Sequence, residues 1–266
     1  MKPAPFDYVA PTSIEEAVAL LAEHGDEGKV LAGGQSLVPL LNMRLALPSV
    51  VIDVGRVAEL RRADTTATGV RYGAGTTHAA VEDRKVPDPT GGLLHRVAGG
   101  IGYRAVRNRG TMGGSLAHAD ASAEWPVVLS AVAASVVVRS VRGERTIPAV
   151  DLVQGYFTNA LEDDELIVAI DVPAPDPRVR FGFHKAARKP GEFAESLAVA
   201  RVDGSAEVWL GAVREVPVRV PLDGVDDVAG QVEAALGGSR EPEARYARHL
   251  HGVAARRAVD QALEAS

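Results

Sequence analysis

The chain has 266 residues, 46% of them hydrophobic, with a formal charge of −6 and no cysteine. That length can bury a sizeable core in one or two domains. The missing thiols exclude disulfides, iron–sulfur ligation, cysteine zinc sites and cysteine nucleophiles within the chain, and the scattered basic residues leave no footprint for nucleic acid.

In chain order, Phe6 to Val9 reads as a strand, closed by Pro11. Ser13-Ile14-Glu15-Glu16 fits a capping box ahead of a helix that Gly25 ends. Lys29 to Ala32 is a short strand that breaks at Gly33-Gly34 before a helix from about Leu37 to Leu45, and Val50 to Val54 is a further strand. The first unit, 1–56, is therefore β-α-β-α-β. A second unit of mixed strands and helices, 57–174, carries a strand Gly69 to Ala74, helices near Thr77 to Arg84, Gly92 to Ala98 and Ala123 to Ala131, a hairpin turning at Arg142-Gly143, and a last strand Leu166 to Val172. Pro173, Pro175 and Pro177 mark a linker. Beyond it, 178–266 reads as three consecutive strands (179–186, 196–202, 207–213) followed by helices at 226–236 and 243–265, a separate α+β unit. His249 and His251 fall on different sides of the last helix, which disfavours a metal site there. No run approaches the roughly 18 apolar residues of a membrane span, and residues 1–11 lack a basic region followed by an apolar one, so a cytoplasmic protein is expected.

Two glycine-rich loops stand out. Ala32-Gly33-Gly34-Gln35-Ser36-Leu37 joins a strand to a helix, and such a turn can offer backbone N–H groups to a pyrophosphate or can simply be tight. It fails the G-x-G-x-x-G dinucleotide fingerprint, which disfavours a Rossmann site. The second loop, Gly110-Thr111-Met112-Gly113-Gly114-Ser115, places small hydrogen-bonding side chains among glycines. Two cradles in adjacent units suit a ligand with two phosphates and a planar head.

At these loops the chain resembles the FAD-binding medium subunits of the molybdenum hydroxylase family, which includes the medium subunit of carbon monoxide dehydrogenase and the flavin domain of xanthine dehydrogenase. The resemblance continues through Leu116-Ala117-His118-Ala119-Asp120, Asp164-Glu165-Leu166-Ile167, Phe183-His184-Lys185, Gly191-Glu192-Phe193-Ala194 and Arg245-Tyr246-Ala247-Arg248-His249-Leu250. It implies an α+β chain with a PCMH-type FAD-binding fold: two α/β subdomains holding FAD, then a small α+β domain built on a three-stranded antiparallel sheet. By position, Ala32, Gly33, Gly34, Gln35, Ser36 and Leu37, with Gly110, Thr111, Met112, Gly113, Gly114 and Ser115, would hold the pyrophosphate. Ala117 and Asp120 belong to the same cofactor-binding set, and Ile101 would lie near the isoalloxazine. Glu124 would bond the polyol, Leu161 would pack on the flavin, and Lys185 would face the pyrimidine end, where an ammonium stabilises an anionic reduced ring.

Ser115 stands where the family most often has Asn, and Gly211 to Pro217 replaces a more glycine- and threonine-rich strand end. The resemblance further implies an oxidoreductase subunit that collects electrons from a two-iron, two-sulfur small subunit, fed by a molybdopterin large subunit, and passes them to an external acceptor. A stand-alone FAD-dependent oxidoreductase and a non-catalytic FAD-binding module are the alternatives.

Overall fold

β1 (Asp7–Val9) leads into α1 (Ile14–His24), whose start is set by Ser13, with Oγ accepting from Glu16 N at 3.1 Å. The returning Glu16 carboxylate lands one residue earlier than a capping box requires, accepting from Thr12 N at 2.8 Å. β2 (Gly28–Leu31), α2 (Leu37–Met43) and β3 (Val50–Asp53) complete a parallel sheet of order β1-β3-β2. The structure, a computed structural model, describes residues 2–237 and 242–265.

The chain continues through β4 (Ala63–Thr65), β5 (Gly69–Gly73), α3 (His78–Glu82), α4 (Leu93–Gly100), α5 (Arg104–Arg107), α6 (Met112–His118) and α7 (Glu124–Ala131). There follow the hairpin β6 (Ser135–Ser140) and β7 (Gly143–Pro148), α8 (Ala149–Leu152), a ribbon of β8 (Val153–Gly155) and β9 (Thr158–Asn159), and β10 (Leu166–Pro173). This second sheet, β4-β5-β10-β6-β7, is antiparallel throughout, unlike the parallel first one. β10 inserts between strands far from it in sequence, a pairing that local hydrophobic pattern does not specify.

The last unit contains β11 (Arg180–Ala186), β12 (Ser196–Val202), β13 (Ala206–Gly211), β14 (Val218–Leu222), α9 (Val228–Leu236) and α10 (Pro242–Glu264). Its antiparallel sheet has four strands where three were expected. Pro217 and Pro221 disguise β14 in the sequence. As an edge strand paired only with β13, it tolerates a residue without an N–H.

The two faces of this sheet are buried against different partners. Ala198, Ala200, Val208, Leu210 and Val220 form one core with Val228, Val232 and the alanine stripe of α10. Phe181, Phe183, Leu197, Val199 and Trp209 join the large core shared with the first two sheets. On β11 the contact with α10 is so close that a Cβ on Gly182 would lie 1.8 Å from Ala258 O. By strand periodicity, Lys185 lies on the face of Phe181 and Phe183, which turns it towards α4 and α7. His251 and His249 separate as their spacing predicts. The first is buried with Nδ1 2.7 Å from Ser196 Oγ, and the second is exposed beside Glu233 at 3.2 Å.

Candidate cofactor site

Between β2 and α2 the chain makes no internal use of its amides. Among the described residues, the backbone N–H groups of Gly33, Gly34, Gln35 and Ser36 have no acceptor. The Gln35 side chain folds back, donating Nε2–H to Gly33 O at 3.2 Å. Consecutive free amides in a glycine turn form a concave set of donors suited to an anion. A Cβ on Gly33 would lie 2.1 Å from Arg109 O and 2.8 Å from the Gly110 Cα, so the two loops touch backbone to backbone and only glycine fits.

The second loop is held from behind by the turn after β5. His78 N donates to Gly110 O at 2.9 Å, Met112 N to Thr76 O at 3.0 Å and Gly113 N to Ala74 O at 2.9 Å. Thr111 is buried and caps α6, its Oγ accepting from Gly114 N at 3.0 Å, while Met112 is fully buried. Gly114 and Ser115 are the partly exposed members of the loop. The segment before it is braced by charge: Arg107 pairs with Glu82 at 2.7 Å and donates to Gly102 O at 2.9 Å.

Two of the residues assigned by resemblance, Lys185 to the ring and Glu124 to the polyol, meet in space. Lys185 Nζ lies 2.7 Å from Glu124 Oε1 and 3.0 Å from Gly100 O, the carbonyl preceding Ile101. The ammonium sits at the C-terminal end of α4 and the carboxylate in the first turn of α7, so each is favoured by the helix dipole it faces. Burial pushes the Glu124 carboxyl up, and Lys185 opposes that rise. Asp120, whose Oδ1 accepts from Ser122 N at 2.8 Å, adds a second negative charge nearby that also raises Glu124. Leu161 is anchored through Asn159, whose Oδ1 accepts from Leu161 N at 2.9 Å and whose amide donates to Ala117 O at 2.7 Å, tying this segment to the end of α6. Ala117 itself is exposed.

Sequence reasoning passed over His78, Trp125 and Asn159 and gave Arg107 no role. Trp125 Nε1 donates to His78 Nδ1 at 3.0 Å, joining the residue after Glu124 to the support of the second loop. A Thr-Thr-His run opening a helix was the available signal, since Thr77 caps α3 by accepting from Ala80 N at 3.1 Å.

Residues 4–175 match the family described as the FAD binding domain in molybdopterin dehydrogenase. The chain belongs to this family. It is similar to the 6-hydroxypseudooxynicotine dehydrogenase complex subunit alpha of Paenarthrobacter nicotinovorans, at 44% identity over 73% of this chain and 66% of that one. The nicotine 6-hydroxylase medium subunit of the same organism is 38% identical over 96% of this chain and 92% of the other. In three dimensions it resembles a chain of the reconstituted CO dehydrogenase from Oligotropha carboxidovorans, with a TM-score of 0.90, 29% identity and complete coverage of both chains. FAD is the cofactor of this family. The free amides at 33–36 and the glycine contact at Gly33 fit its pyrophosphate on structural grounds alone.

Proposed function

We propose that this chain is the electron-transferring FAD subunit of a cytoplasmic molybdenum hydroxylase-type dehydrogenase whose partner chains carry molybdopterin and two-iron, two-sulfur clusters. The observation that carries the reading is the run of free amides at 33–36 abutting the Arg109-Gly110 peptide. Several relatives are named as subunits of larger enzymes. Exposed apolar residues around α2, among them Leu45 at 71% and Leu47 at 66%, suit a chain that buries surface against others. Among the described residues no helix is long and apolar enough to cross a membrane.

When bound, FAD supplies the redox chemistry, accepting electrons singly and releasing them in pairs. This chain's residues bind and orient it. Gly33 to Leu37 would receive the phosphates, and Gly114 and Ser115 would close the second side. Gly110, Thr111, Met112 and Gly113 would set that loop's shape. Ile101, Leu161 and Lys185 would surround the ring, with Glu124 on the polyol.

The test is purification of the tagged chain from its native host. A yellow chain co-purifying with a molybdenum chain and an iron–sulfur chain is expected, whereas a solitary flavoprotein turning over substrate would overturn the subunit assignment. Gly33→Ala should abolish FAD retention, because its methyl group would occupy the Arg109 carbonyl. Unchanged flavin content in that variant would show that the loop is only a turn.

A further inference from the structure

We propose that His78 is a further cofactor-facing residue of this site, an imidazole locked by Trp125 as the Nε2–H tautomer whose free N–H is a donor for an oxygen of FAD's pyrophosphate–ribityl chain. The inference rests on the FAD-binding reading above and assigns a residue that neither the glycine loops nor the resemblance identifies.

The tautomer follows from elementary chemistry. An indole nitrogen can only donate, so the His78 Nδ1 that meets Trp125 Nε1 at 3.0 Å is the unprotonated one, and the neutral ring carries its hydrogen on Nε2. Burial, helped by the Arg107 guanidinium, holds the imidazole down to about 4, so the ring is neutral at physiological pH. His78 is only 5% exposed, yet among the described residues Nε2 has no acceptor. Unlike Thr76 Oγ1, Nε2 is not sealed from solvent, so its free N–H stays open to an acceptor from outside the chain.

The position of Nε2 says which partner it serves. A Cβ on Gly110 would lie 2.8 Å from it, and Gly110 is the residue whose Cα Gly33 also crowds. The free donor is therefore at the junction of the two loops. The same turn contributes a second unexplained polar atom, Thr76 Oγ1, in a residue 2% exposed and with no partner among the described residues. Trp125 directly follows Glu124, so one helix end fixes both the lysine's carboxylate and the histidine's tautomer.

Two variants of the full chain, stripped of flavin and titrated with FAD, separate a ligand role from a structural one. His78→Asn keeps an acceptor where Nδ1 lies and removes the atom at Nε2. His78→Gln places an amide N–H near Nε2 and gives up the Trp125 bond. The expected result crosses over: Asn preserves thermal stability of the apo chain but weakens FAD binding about tenfold, as loss of one hydrogen bond does. Gln lowers stability but keeps FAD affinity within about threefold of the unaltered chain. Long-range nitrogen–proton spectra of the unaltered chain should show Nε2 protonated and its resonance moving on FAD addition. Equal FAD affinity in the Asn variant, or an Nε2 resonance indifferent to FAD, overturns the proposal and leaves an ordered water as the partner. An unaltered chain that binds no FAD overturns instead the cofactor reading on which it rests.

Discussion

Lys185 and Glu124 form a largely buried ion pair, Nζ to Oε1 2.7 Å, that joins the last sheet to the first turn of α7. Among the described residues neither has another charged partner in direct contact, so each depends on the other for compensation. Removing one charge of such a pair costs about 3–5 kcal/mol, because the survivor stays buried alone. Lys185→Met should therefore destabilise the apo chain by that order in urea unfolding. The sign of its pH dependence also follows. Burial already raises Glu124, and Lys185 is the main group opposing it, aided by a backbone amide, so in the variant the carboxyl rises further and is neutralised as pH falls. The deficit relative to the unaltered protein should be largest near neutral pH and shrink in mild acid. A deficit independent of pH would show that the loss is one of packing.

Ser115 offers the gain-of-function counterpart. It is partly exposed on the second loop, and its backbone amide is already spent on Thr111 O at 3.0 Å, while its hydroxyl has no partner among the described residues. Ser115→Asn should tighten FAD binding severalfold by adding one amide donor, in the range of a single hydrogen bond at about 1 kcal/mol. Titration of the apo chain by flavin fluorescence quenching measures it directly. Weaker binding would mean that the loop has repacked around the smaller side chain.

Two buried histidines give the protein a weakness to mild acid. Burial holds both His78 and His251 down to about 4, against an ordinary value of 6.5. Below about 6.5 the unfolded chain takes up protons that the native chain refuses, so stability is full above that pH and is lost as pH falls towards 4. Each histidine should contribute a slope of about 1.4 kcal/mol per pH unit within the window. His251→Gln, which retains a polar group for Ser196, should remove roughly half of this slope in unfolding experiments between about pH 7 and pH 5. An unchanged slope would place the acid sensitivity among the carboxylates instead.

Much of this architecture was legible in the sequence. The first unit's β-α-β-α-β order, the α1 cap at Ser13 and the hairpin turning after Ser140 all depend on contacts within a few residues. The two glycine loops were recognisable for the same reason. What was hidden is instructive: β14 was masked by its prolines, and the antiparallel pairing of the second sheet depends on β10, which lies some hundred residues after β5. Long-range pairings are chosen by which faces must be buried together, and no window of sequence contains that choice.

The candidate site divides along the same line. Glycine at 33, 34, 110, 113 and 114 announces backbone that must come close to something, and the residues themselves left a tight turn and a pyrophosphate cradle both open, with the pairing of the loops and the family resemblance favouring the cradle. That Gly33 presses on the Arg109-Gly110 peptide, that Lys185 crosses from the last sheet to Glu124, and that His78 takes its tautomer from Trp125 were decided only by the tertiary structure. The reason is physical. A turn is specified by the conformational freedom of its own residues, whereas a buried polar contact exists only when packing brings two distant groups together and excludes the water that would otherwise satisfy each of them.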